Sequence, residues 1–175
     1  MKGVVRLPWS TVDGTPCYTV PAPDGHGTGA VGALADVWEA AQVLQARSVL
    51  GAARVWLAPG VRVDGGRLRA VFVRLVWSLV RMVKVAESRG QRLGRSDAGE
   101  AARVEMARVL LGHTEDLLVT GNAEVFQLRY VLARLVECLA AMVEIAEARG
   151  ALLAAPDDGG APDGDGARCG KGACG

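Results

Sequence analysis

Lysine is nearly missing from this chain, with three residues against 17 arginines, and there is a single Ile (Ile145) and a single Asn (Asn122). Ala, Val and Gly abound instead, a usage that reads as the coding bias of a G+C-rich, actinobacterial genome rather than as selection for a binding surface. There is no excess of charge of either sign, since 20 basic side chains face 19 acidic ones, which removes bulk charge as a reason to expect nucleic acid or an acidic membrane. Long apolar runs are missing too. The longest, Ala70 to Val80, is broken by Arg74 and is far short of the ~20 residues of a membrane span. Arg6, Pro8 and Ser10 interrupt any signal-peptide core in MKGVVRLPWSTVDG, which predicts a cytoplasmic protein with no membrane partner. The four cysteines, Cys17, Cys138, Cys169 and Cys174, lack the spacing of a secreted disulfide framework. What remains is a chain of 175 residues, half of them apolar, long enough to bury roughly 70% of its unfolded surface without staples.

Compared with itself, the chain shows a tandem duplication. At an offset of 61, Asp36 to Gly60 aligns with Asp97 to Gly121 with 11 identities in 25 positions, among them Glu39/Glu100, Arg47/Arg108 and Leu50/Leu111. At an offset of 60, Arg67 to Leu93 aligns with Gln127 to Leu153 with 14 in 27, including Arg74/Arg134, Met82/Met142, Glu87/Glu147, Arg89/Arg149 and Gly90/Gly150. Each unit reads as a helical hairpin. The first helix, Ala33 to Leu57, stops at Pro59-Gly60, and Asp64 is in place to cap a second, Gly65 to Arg89. Gly90 is placed to end that helix in the left-handed conformation. In the second unit Ser96 is the expected cap of Asp97 to Val119 and Asn122 that of Ala123 to Arg149, followed by Gly150.

The helices 67–89 and 127–149 are apolar over a wide arc, with Arg67, Arg74, Ser78 and Arg81 confined to one narrow stripe. Such helices belong at the centre of a bundle or at an oligomer interface, and they are expected to pack on each other. The predicted fold is all-α, a four-helix bundle of two αα-hairpins (30–93 and 94–155) in one packed domain. An N-terminal arm and linker (1–29) precedes it, with residues Val5 to Val20 forming a small β-hairpin around an Asp13-Gly14 turn. A Gly/Asp/Cys tail (156–175) follows, with the composition of a disordered segment.

Candidate chemistry is sparse. Arg108 and His113, spaced as Arg-x4-His, resemble the Arg-x4-6-His signature of HEPN-type ribonucleases, four-helix proteins in which the pair would polarise phosphate and move a proton. The resemblance covers six residues and departs from that family at Val109, usually polar there; Arg108 also recurs as Arg47 while His113 is matched by Ala52, which suggests a structural role for the arginine. Glu39 with Arg74, and Glu100 with Arg134, are expected to form inter-helix ion pairs that fix register. A basic stripe of Arg67, Arg74, Arg81 and Lys84 offers a phosphate-backbone surface without aromatic interleaving, a solvated edge being the simpler reading. The tryptophans (Trp9, Trp38, Trp56, Trp77) read as core and packing residues. Cys169 and Cys174 make an incomplete metal site, and there is no phosphate-binding Gly loop, Gly-x-Ser-x-Gly or His-Glu-x-x-His, so neither metal nor cofactor is expected.

The opening LPWSTVDGTPCYTV, with the helix ends LVRMVKVAESRG and LAAMVEIAEARG, resembles a group of small Streptomyces-type proteins with a Pro-Trp…Gly-x-Pro-Cys-Tyr N-terminus. That resemblance implies an actinobacterial cytoplasmic protein and brings no assigned activity. The expected function is a non-catalytic module that binds a protein partner or a second copy of itself; a nucleic-acid-linked role is the alternative.

Overall fold

The computed structural model describes residues 5–13, 15–20, 29–94, 97–120 and 124–155. It is an all-α four-helix bundle with a two-stranded arm: β1 (Val5–Ser10), β2 (Pro16–Thr19), α1 (Gly29–Leu57), α2 (Gly65–Leu93), α3 (Ala98–Thr120) and α4 (Val125–Ala154). None of the helices is long and apolar enough to cross a membrane.

The helix boundaries follow from local chemistry, and several differ from the sequence expectation. α1 ends at Pro59-Gly60, where Gly60 takes φ 82°, a conformation that L side chains disfavour. The Asp64 carboxylate then accepts the Arg67 amide at 2.9 Å and caps α2. Neither Gly90 nor Gly150 ends its helix. α2 runs on to Gly94, which holds the left-handed φ of 59°, and α4 continues to Ala154. For α3, Asp97 is the capping residue, its carboxylate accepting the Glu100 amide at 3.0 Å. For α4, Glu124 and Gln127 form a capping box, so the glutamate takes the place expected of Asn122. Ser96 and Asn122 themselves lie outside the described residues, as do Pro21 to Thr28 and the tail from Pro156.

The two helices with the widest apolar arcs pack on each other. Among the described residues α2 and α4 share the largest interface, and α1 and α3 flank this central pair without appreciable contact with one another. One buried cluster draws on all four helices, with Leu68, Phe72, Leu75, Leu79 and Met82 of α2 facing Leu132, Leu135, Leu139 and Met142 of α4. Each such side chain contributes roughly 1.5–3 kcal/mol on leaving water. The wide arc is therefore consumed inside the chain. The flanking helices approach this core through small residues, since the buried face of α1 carries Gly32, Ala35, Ala46 and Ala53 among Val43 and Leu50.

In the arm, β1 and β2 pair antiparallel, with a register irregularity between Arg6 and Ser10 that contains Pro8, a residue unable to donate to the ladder. The turn is wider than the expected Asp13-Gly14 pair. Thr11 and Thr15 close it, the Thr11 amide donating to the Thr15 carbonyl at 2.9 Å, and the Thr15 hydroxyl donates to the Asp13 carboxylate at 3.0 Å. Hydrogen bonding, first from Thr11, then from its own backbone and from Thr15, holds the Asp13 carboxyl below the usual Asp value. Leu7 is buried, and Trp9 meets Trp38 of α1 edge-on at 6.3 Å, which fastens the arm to the first hairpin.

Candidate functional site

Among the arginine–glutamate contacts that tie the described helices together, four come in two repeat-related pairs. Glu39 is completely buried on α1, and Arg89 of α2 donates to it through Nε at 2.7 Å. In the second hairpin Arg149 of α4 donates through Nε to Glu100 of α3 at 2.9 Å. Each guanidinium also crosses to the other hairpin, Arg89 donating to the Ala146 carbonyl at 2.5 Å and Arg149 to the Ala86 carbonyl. This crossing explains the two glycines. A Cβ on Gly90 would lie 2.5 Å from an Arg149 guanidinium nitrogen, and a Cβ on Gly150 would lie 2.5 Å from one of Arg89. They are there to let arginines pass.

The second pair spans the hairpins directly. Arg47 of α1 meets Glu147 of α4 at 2.6 Å, and Arg108 of α3 meets Glu87 of α2 at 2.5 Å. The expected partnerships Glu39–Arg74 and Glu100–Arg134 are not made. Glu39 stands near the start of α1, and an antiparallel hairpin brings it to the end of α2, whereas Arg74 lies 15 residues before Arg89, about 22 Å back along the helix. Arg74 is exposed, and Arg134 pairs instead with Glu137 of its own helix at 2.7 Å, over the Tyr130 ring.

The duplicated network is not fully symmetric. In the first hairpin Arg92 also reaches Glu39 and Asp36, giving two carboxylates and two guanidiniums in one cluster. At the position of Arg92 the second repeat has Leu152. Glu39 Oε1 and Arg92 Nε have no hydrogen-bond partner among the described residues.

Arg108 and His113 do not share a site. Five residues on an α-helix turn through roughly 140° and rise about 7.5 Å, which puts the two side chains on different faces. The bonds to Glu87 and Glu105 hold the Arg108 guanidinium above its ordinary pKa, while His113 is exposed. Nor do the described residues hold a group of three His, Cys, Asp or Glu side chains placed for a metal ion; Cys169 and Cys174 lie outside them.

Where the two hairpins part company is on their outer grooves. Between α1 and α2 lies a groove of about 310 Å³ lined by Gln45, Ser48, Arg74, Trp77, Ser78 and Arg81 among others. Its repeat-related counterpart between α3 and α4 is about 300 Å³, lined by Ala102, Arg103, Met106, Glu137, Cys138 and Ala141. Trp77 corresponds to Glu137, Ser78 to Cys138, Arg81 to Ala141 and Gln45 to Met106. One groove is cationic and carries a ring; the other is apolar at its base. Burial, and after it the Glu137 carboxylate, pushes the Cys138 thiol up against a smaller opposing effect of Arg134, so that thiol stays protonated and is a poor nucleophile.

Comparison with family models, curated proteins and solved structures finds no match.

Of the basic stripe, Arg67 is paired with Asp64 and lies 5.6 Å over the Trp56 ring, and Arg81 donates to Gln42 at 3.2 Å and Gln45 at 3.0 Å. Arg74 and Lys84 have no ion-pair partner among the described residues. Trp77 is not a core residue: it is 62% exposed and sits on the stripe between Arg74 and Arg81. Two signals for this were in the sequence. Trp77 falls three residues after Arg74 and four before Arg81, on the polar stripe, and its repeat counterpart is a glutamate.

Proposed function

We propose that this protein is a non-catalytic, cytoplasmic helical module that associates with a second copy of itself through the outward face of α1. The observation that carries this reading is an inversion of the usual amphipathic order. α1 turns its small residues inward, while Leu34, Val37, Leu44 and Val55 point to solvent, joined by Ala30, Ala41, Ser48 and Gly51 at alternating spacings of three and four. That is the spacing of a heptad seam, and the small members let a partner helix approach closely. The duplication supplies a control: α3 carries Glu105 and Asp116 where α1 carries Leu44 and Val55. α3 also exposes Met106, Val109 and Leu118, but the two carboxylates interrupt its corresponding seam.

From Leu34 to Val55 the stripe is about 32 Å long on a helix about 10 Å wide. That gives roughly 300 Å² per copy, the size of the functional patches found on monomers and below that of a permanent dimer interface. Association is accordingly weak and concentration-dependent. Light scattering over a dilution series is expected to show a mass that climbs above that of the monomer for the wild type and stays monomeric for Leu44→Glu, which installs the residue α3 carries. A wild type that remains monomeric throughout the series contradicts this reading.

A further inference from the structure

We propose that the α1/α2 groove binds single-stranded nucleic acid, with a base stacked on Trp77 and the flanking phosphates on Arg74 and Arg81. The binding groups proposed here are not those of the self-association seam, although Ser48 of that seam also lines the groove. Its first support is uncompensated charge. Arg47, Arg89, Arg108 and Arg149 each face a carboxylate, but Arg81 is steadied by two neutral carboxamides, Gln42 and Gln45, and Arg74 has no carboxylate partner among the described residues. A guanidinium held in place by neutral acceptors keeps its full charge for an incoming anion, and its planar donor fork suits phosphate.

The second support is the ring. Trp77 lies one helical turn from each of these arginines, exposed on the same groove. An acidic peptide would engage the guanidiniums and leave the indole uncovered, whereas a nucleotide strand brings both anion and planar ring. Stacking on an aromatic platform inside a basic groove is the general mode by which proteins hold single strands without reading sequence. Arg67 over Trp56 is a second arginine–tryptophan pair about 10 Å before Arg74, but Asp64 already compensates its charge, so the strand is held over the roughly 10 Å from Arg74 to Arg81.

The third support is the sister groove. At the repeat-related positions the second hairpin has Glu137 for Trp77 and Ala141 for Arg81; Arg134, the counterpart of Arg74, pairs with Glu137, and the groove keeps Arg103. The same scaffold thus carries one groove equipped for a strand and one that is not. The substitutions that convert the first into the second are Trp77→Glu and Arg81→Ala, both at positions where the fold already accepts the replacement in its other half.

The test uses the full chain and a labelled oligonucleotide of about twelve unstructured nucleotides, read by fluorescence anisotropy at low salt and in a salt titration. Trp77→Glu is expected to weaken binding at least about tenfold, the scale of one lost stacking contact. Arg81→Ala is expected to weaken it several-fold and to reduce the salt slope by about 0.7, the contribution of one phosphate contact to a single strand. Arg103→Ala, in the sister groove, should leave both unchanged. Calorimetry with a mononucleotide separates the sources: binding of the mononucleotide alone, lost in Trp77→Glu, supports the same site with a free nucleotide as its ligand. No binding of either, or binding matched by polyglutamate and indifferent to Trp77→Glu and Arg81→Ala, overturns the proposal. Thermal melts of the variants confirm that they are folded.

Discussion

The two hairpins are copies that have kept the same inside and exchanged their outsides. Glu39/Glu100, Arg47/Arg108, Glu87/Glu147, Arg89/Arg149 and Gly90/Gly150 are identical, and in the structure they form the ion-pair network within and between the hairpins. The outward residues have drifted the other way. α1 presents Leu44 and Val55 where α3 presents Glu105 and Asp116, and the first groove presents Trp77 and Arg81 where the second presents Glu137 and Ala141. The core is duplicated, and the surfaces proposed above lie at outward positions of the first hairpin that the second does not repeat.

The comparison is broken most severely at the clamp. Glu39→Ala leaves Arg89 and Arg92 buried without their carboxylate and is expected to cost about 3–5 kcal/mol in urea unfolding, the range for removing one partner of a buried ion pair. Glu100→Ala is expected to cost less, about 1–2 kcal/mol, because the Glu100 side chain is 27% exposed and serves one arginine. Equal losses would mean that Arg92 adds nothing to the first hairpin.

Next come the glycines. In an ordinary helix interior Gly→Ala stabilises by roughly 1 kcal/mol. Here Gly90→Ala and Gly150→Ala each drive a methyl into a guanidinium already fixed by a carboxylate and a carbonyl, so a net loss of about 1–3 kcal/mol is expected in the same assay. A gain in stability for either would show that the arginines have room to move aside.

Smaller again is Arg74, exposed and without an ion-pair partner among the described residues. Arg74→Ala and Arg74→Leu should both stay within about 0.5 kcal/mol of wild type in a thermal melt, in contrast to any variant of Arg89.

The smallest effect concerns the arm, which only the first hairpin carries. Asp13 has its carboxyl held below the ordinary value near 3.9, so its contribution is present above that pH and is lost as the pH falls through the lower folded value. Trp9 fluorescence should report loosening of the arm on acidification in that window, and Asp13→Asn should remove the pH dependence.

The repeat, the four helices and the central pairing of α2 with α4 were legible in the sequence because they rest on signals that act locally: identities at a fixed offset, a Pro-Gly break, and apolar arcs too wide for a surface. The clamp was not, although all its residues appear among the repeat identities. Which arginine faces Glu39 depends on running two antiparallel helices past each other, and Arg74 is a whole hairpin end away from where Glu39 sits. Gly90 was misleading for a related reason. Glycine after an apolar run ordinarily marks a left-handed helix end, and only the opposing Arg149 reveals that the missing side chain is a passage. Trp77 was hidden by the general tendency of tryptophan to be buried, against which its place on the arginine stripe and the glutamate in its repeat partner were the contrary signs.

The central claim is that the two hairpins are locked by a reciprocal pair of buried arginines, and the side-chain Nε–H resonances of the arginines test it most directly by NMR. Arg89 and Arg149, each donating its Nε–H to a glutamate, are expected to give resonances that exchange slowly with solvent, with Gly150→Ala perturbing Arg89 and Gly90→Ala perturbing Arg149. Nε–H protons of Arg89 and Arg149 that exchange as fast as that of exposed Arg74, and that ignore both glycine substitutions, would contradict it.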